Sequence, residues 1–213
     1  GNFPILSANF PLATYPLAAL CLHTEFSPLP GLTFRESLYN GVASDRINRQ
    51  FRFCPRSDGM FNIGSLSYHI GEEDRHHGYY AVGYALGSSP SETSADKTFN
   101  YALWTLIEQP LLHIGESHLG AMWQGGTSPA SRSTCRHYWG AGLIWSNIPP
   151  RMTQVGLVVN RALYADGRET DVELTGSFPV CNHFTLQPAV HCINTNGNYT
   201  AAAQLRAILE FGN

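Results

Sequence analysis

Lysine is almost missing from this chain: Lys97 is the one lysine among 13 basic residues, and the rest are arginine. Against 16 acidic residues the net charge is −3, so no basic patch invites nucleic acid. Charge of either sign is scarce, at 14 % of residues, while 43 % are hydrophobic and 20 are glycine, a mixture that excludes a disordered chain. Long apolar runs are lacking as well. No stretch approaches the roughly 20 residues that a membrane helix needs, so a chain of this composition enters a bilayer only as strands. No window keeps a 3.6-residue period over several turns. The chain opens GNFPILSANF, without the basic region and apolar segment of a signal peptide, which is expected of a processed chain or of part of a longer one.

Catalytic and metal signatures are also missing. There is no Gly-x-Ser-x-Gly, phosphate loop or His-Glu-x-x-His. The five cysteines, Cys21, Cys54, Cys135, Cys181 and Cys192, include no Cys-x-x-Cys and leave at least one unpaired. They read as small buried or lipid-facing residues. The cluster GEEDRHHG, with Glu72, Glu73, Asp74, His76 and His77, is consecutive rather than convergent and reads as a solvated loop. The sequence thus predicts no enzyme, no metal site and no cofactor.

What is present is alternation. Val172, Leu174, Gly176, Phe178 and Val180 fall on one face of an extended chain, with Asp171, Glu173, Thr175 and Ser177 on the other. The next run sets Phe184, Leu186, Pro188, Val190 and Cys192 against His183, Thr185, Gln187, Ala189 and His191. A third sets Ala203, Leu205, Ala207, Leu209 and Phe211 against Ala202, Gln204, Arg206, Ile208 and Glu210. Strands apolar on one face and polar on the other suit a soluble sheet. They also suit a transmembrane barrel wall, apolar toward lipid and polar toward water. Similar runs, bounded by Gly, Pro, Asn, Asp and Ser, are expected near 15–26, 31–42, 58–70, 78–88, 98–109, 114–125, 134–147, 153–165, 169–180, 183–193 and 199–211. Each is about ten residues, the length a tilted strand needs to cross a bilayer. Short connections are expected at Ser27–Pro30, Ala165–Arg168 and Val180–Asn182, and longer ones at Ala43–Ser57, Gly71–His77, Ser88–Lys97 and Gly126–Ser133. Tyr79, Tyr80, Tyr138, Trp139, Trp145, Tyr164, Phe178, Phe184, Tyr199 and Phe211 collect near strand ends, as interface girdles would.

The order of four segments resembles the carbohydrate-selective porins of the OprB type. They are TYPLAAL, then YWGAGLIWSNIPPRMTQVGLVV, then ETDVEL with FTLQPAVHCIN, then the closing AAAQLRAILEF. The resemblance implies an all-β, antiparallel outer-membrane barrel in a Gram-negative bacterium, passing monosaccharides and small hydrophilic solutes without a cofactor. Lipid and lipopolysaccharide would surround it. Residues 1–213 read as a single porin-like domain giving about ten to twelve strands, or as the C-terminal part of a barrel of about sixteen. Because an open edge in lipid is costly, closure is expected from a longer chain, from a small barrel, or from a homo-oligomer or partner chain that makes this one a structural subunit.

Arg35, Glu173, Gln187 and Arg206 sit mid-strand, where an arginine facing lipid would cost up to about 2–4 kcal/mol. They are expected to face the lumen, either bracing the wall or lining a constriction that exchanges hydrogen bonds with sugar hydroxyls, with Trp123 supplying a stacking surface. Arg151, at a turn, matches a basic position of the family and suits bracing. Glu36 is the exception, since it alternates outward among Leu32, Phe34 and Leu38.

Overall fold

The alternation becomes eleven antiparallel strands. A computed structural model describes residues 4–10, 17–71, 78–90, 97–148 and 152–210. The strands are β1 (Cys21–Leu29), β2 (Leu32–Asn40), β3 (Met60–Ile70), β4 (Gly78–Pro90), β5 (Lys97–Ile114), β6 (Ser117–Thr127), β7 (Cys135–Ile148), β8 (Met152–Tyr164), β9 (Arg168–Cys181), β10 (Phe184–Thr195) and β11 (Asn198–Leu209). They form one sheet in sequence order, each strand paired with its chain neighbours. Three short helical turns, α1 (Pro4–Ser7), α2 (Ile47–Gln50) and α3 (Pro55–Asp58), complete the described elements. The closing Phe211, Arg151, the cluster from Glu72 to His77 and part of TYPLAAL lie outside the described residues.

Register decides which residues share a face. Across β9, β10 and β11, Val172 pairs with Cys192 and Cys192 with Ala201, while Leu174 pairs with Val190 and Val190 with Ala203. These residues carry the outer face, where Leu22, Phe26, Val82, Leu103, Leu157, Leu174 and Leu205 are also exposed. The opposite face holds the buried side chains Phe61, Ala81, Ala85, Ala102, Tyr138 and Ala162. Tyr79, Tyr138 and Tyr164 belong to this inner face, against the expectation of interface girdles. Tyr79 packs on His69, with ring centroids 4.6 Å apart, and Tyr138 is buried.

What fills the inner face is the segment 4–10. Ile5 is fully buried and Phe10 nearly so. Glycines on the wall make room for both: a Cβ at Gly126 would stand 2.7 Å from Ile5 Cγ2, and one at Gly87 2.8 Å from Phe10 Cδ1. Asn9 fixes the segment in two directions, donating from Nδ2 to the Cys135 carbonyl at 2.6 Å and accepting the Cys135 N–H on Oδ1 at 2.9 Å. Phe10 also stacks on Phe61 of β3 at 5.2 Å, and Pro4 shares a pocket with Glu169 and Asp171 of β9. On a flat sheet β3 and β9 would lie roughly 29 Å apart, from six gaps of about 4.8 Å. Seven residues containing a helical turn reach only about 10–15 Å. The sheet therefore curves around the segment, with the polar face concave.

Strand β1 starts later than the sequence suggests and runs through Ser27 and Pro28 to Leu29, with a register shift after Phe26. Proline is tolerated there because β1 is an edge strand with a free side to its ladder. Strand β5 likewise continues through Pro110, at a bulge against β6. The connection 41–59 is pinned at the end of β2. Asn40 donates to the Val42 carbonyl at 3.2 Å and to Asp58 Oδ2 at 3.0 Å, and its Oδ1 accepts the Cys54 N–H at 3.1 Å. A hydrogen bond from Ser57 above all, then the one from Asn40, holds the Asp58 carboxyl below its ordinary range.

Two outcomes test this description. Gly126→Val drives a side chain into Ile5, so residues 4–10 leave the wall while the strands stay paired. Mass spectrometry after thiol labelling of the folded protein should then find Cys135, shielded in the parent, modified in the variant. For Asp58 the folded carboxyl is the stronger acid, so its stabilisation is complete above the unfolded value of about 3.9 and is lost as pH falls through the lower folded value. Protection factors for hydrogen exchange across 41–59, taken relative to the intrinsic rate at each pH, should therefore hold from neutral pH down to about pH 5 and fall only in stronger acid. Asp58→Asn should lower them at neutral pH.

Candidate functional site

Among the described residues, most of the strands' polar side chains gather on the concave face. Arg35 lies there on β2, in a cross-strand row through Ser65, Gly83, Trp104, Gly126 and Tyr138. Its Nε meets Glu25 Oε2 at 2.7 Å, and Nη1 donates to Ser67 Oγ at 3.3 Å. That geometry ties β1 to β2 and β3, and it leaves Arg35 about two-fifths exposed on the concave surface. Beside it, His23 Nδ1 lies 2.7 Å from Ser37 Oγ.

Arg206 and Gln187 face each other across β11 and β10, as the alternation implies. Glu173 does not join them. It is paired with His191, four residues along β10 from Gln187, which is about 13 Å. The two-residue turn after Cys181 and a shift near Phe184 set this register, and neither is visible from alternation alone. Gln187 instead borders a pocket with Gln154, Thr175, Ser177 and Val158. The expected set therefore splits into Arg35 on β2, Glu173 with His191, and Gln187 with Arg206.

Trp123 is a correction. It was expected on the lumen side, but its neighbour Gln124 donates to the Tyr138 hydroxyl inside the sheet, so Trp123 points outward. There it stacks on Trp139, with centroids 5.9 Å apart and planes within 9°. It is part of the convex, apolar surface.

Glu36 keeps the outward alternation expected of it, with no bulge between β2 and β3. Its carboxylate is held by Asn62 Nδ2 and by the Tyr84 hydroxyl, which lies 2.9 Å from Oε2. The side chain crosses over Gly64, where a Cβ would stand 2.3 Å from Oε2. An acidic group on an apolar face is tolerated because its oxygens are satisfied by its own neighbours.

Sequence reasoning missed the inner hydrogen-bond network and the segment that meets it. Tyr138 receives a hydrogen bond from Gln124 and donates to Asn160 Oδ1 at 2.8 Å, linking β6, β7 and β8. Ser128 and Ser133 fold the connection 128–134 against Asn100, with Ser128 Oγ and Ser133 Oγ 2.6 Å apart and Asn100 Nδ2 donating to Ser133 Oγ at 3.1 Å. The signal was present as small residues on alternate inner positions, Ala81, Ala85, Gly87, Ala102 and Gly126. Such a wall has room for something beside it.

No protein-family model matches the chain, and no curated protein matches it in sequence. Among solved structures it is similar to Pseudomonas putida OprB at high pH, with a TM-score of 0.72 at 14 % identity. The alignment covers 91 % of this chain and 58 % of that one. The likeness is one of fold: this is an all-β, antiparallel, porin-like sheet.

Proposed function

We propose that this chain forms the wall of a passive pore in a Gram-negative outer membrane, admitting small sugars and other small hydrophilic solutes. The observation that carries the reading is the separation of surfaces, strand after strand, into an apolar convex face and a polar concave one. Lipid solvates the first and water the second. Solutes move down their gradient past arginine, carboxylate and amide groups, whose hydrogen bonds are exchanged for those of water. Binding is weak enough to permit exit, and no bond is made or broken. The sugar preference rests on the resemblance of the C-terminal segments to the OprB type and on the structural likeness. Carbohydrate selectivity and outer-membrane location follow as one reading.

A second reading is favoured by the strand edges. Strands β1 and β11 each pair with one neighbour only. Backbone groups along both edges need partners in lipid, each unsatisfied group costing several kcal/mol. On this reading the chain is a structural subunit whose barrel is completed by further strands, from a longer chain or a partner.

Single-channel recording in planar bilayers, titrated with glucose, tests the first reading. Discrete openings blocked by sugar are expected, with Arg206→Ala altering the block while leaving assembly intact. A bilayer that stays silent although the chain is folded would overturn it in favour of the subunit. Heat-modifiable migration in detergent gels separates the readings by a different route: a self-closed barrel migrates differently before and after boiling, whereas a sheet awaiting partner strands does not.

A further inference from the structure

The geometry points to a divalent metal site on the concave wall, formed by Asp171 and Glu173 of β9 and His191 of β10, for an ion of the zinc class. One ligand atom from each residue lies within 4.8 Å of the other two, and all three side chains are half-buried. His191 Nδ1 is 3.1 Å from Asp171 Oδ2. Around a tetrahedral ion with bonds of about 2.0–2.2 Å, donors stand roughly 3.3–3.6 Å apart, so small side-chain rotations close the set.

Charge explains why an ion belongs there. Glu173 and His191 are direct cross-strand partners, and Asp171 is two residues from Glu173 on the same face. Two carboxylates thus share one imidazole, which supplies at most a single positive charge. No arginine or lysine pairs with either acid among the described residues. Arg168, the nearest basic residue in sequence, is paired with Leu163 and alternates onto the face of Val172 and Leu174, and Arg161, paired with Thr170, occupies that opposite face as well. Asp171 Oδ1 is shielded from solvent and has no hydrogen-bond donor. An acceptor in that state forgoes about 1–3 kcal/mol unless something electropositive meets it.

Space is available. Asp171 borders a pocket of about 200 Å³ with Glu169, Asn160, Tyr138, Tyr164 and Pro4. Three protein ligands leave the fourth position to water or a solute oxygen, the arrangement of an open rather than a closed zinc site. One imidazole and two carboxylates suit first-row transition ions better than calcium or magnesium, which take oxygen alone. No sequence spacing announces the site, because its ligands come from two strands separated by a turn.

The test uses the whole chain folded in detergent micelles, titrated with cobalt(II) followed by its visible absorption, then with zinc(II) as competitor. One saturable site per chain is expected, with the cobalt band erased by zinc. Glu173→Gln and His191→Ala should each weaken binding at least about tenfold, since even groups that merely orient a ligand are worth about that much. Circular dichroism should remain unchanged. Glu173→Gln conserves shape, so it decides the matter if His191→Ala does not fold. Titrations of the folded variant that overlay those of the parent would overturn the site, as would the lack of any saturable step in the parent. Neither readout involves conductance, so this site stands or falls apart from the pore.

Discussion

The fold rests on one constraint, that backbone N–H and C=O groups withdrawn from water must find partners. A sheet meets it strand by strand, and side-chain alternation then leaves two surfaces of opposite character. Eleven strands in unbroken sequence order, with short turns such as 30–31, 115–116, 182–183 and 196–197, are the simplest way to propagate that pairing. The constraint also governs the exceptions. Pro28 is accepted on an edge and Pro110 at a bulge, where a missing donor harms no ladder.

The two faces solve different problems. Outside, large apolar residues such as Leu22, Phe26 and Leu205 stand exposed without partners from the described residues. Inside, a wall of alanine and glycine would leave a groove, and the segment 4–10 fills it with two buried side chains and the paired hydrogen bonds of Asn9. Glu36 shows the outer rule at its limit. Its charge is accepted because Asn62 and Tyr84 supply donors on the spot, so the polar group is closed off from its surroundings.

Much of this was legible in the sequence because a period of two is a local signal. Val172, Leu174, Val190 and Ala203 reveal their common face without knowledge of what pairs with them, and all eleven strands can be counted that way. Position along the neighbouring strand is not local. Glu173 meets His191 rather than Gln187 because turn length and a shift near Phe184 set the register, and alternation is blind to both. Trp123 went to the wrong face for a related reason: in MWQGG the polar residue that marks the inside is Gln124. The segment 4–10 was hidden because PILSANF has no periodicity of its own, and its place is dictated by glycines more than seventy residues away.

The reach of that segment separates two quantities that usually travel together. In a barrel, strand number sets the diameter, and the diameter is commonly read as the size of the passage. Here residues 4–10 lie against the wall from β3 to β9, with Tyr39 at the end of β2 packed on the same cluster, and leave β10, β11 and β1 clear of the segment. Among the described residues, any opening is thus a crescent bounded on one side by Ser7, Ala8 and Asn9, the less buried part of the segment, and on the other by Gln187, Arg206, His23 and the Arg35–Glu25 pair. Flat rings fit a crescent better than spheres of equal volume. Lengthening the circumference with further strands would widen its bare arc while the filled arc stayed as narrow as before.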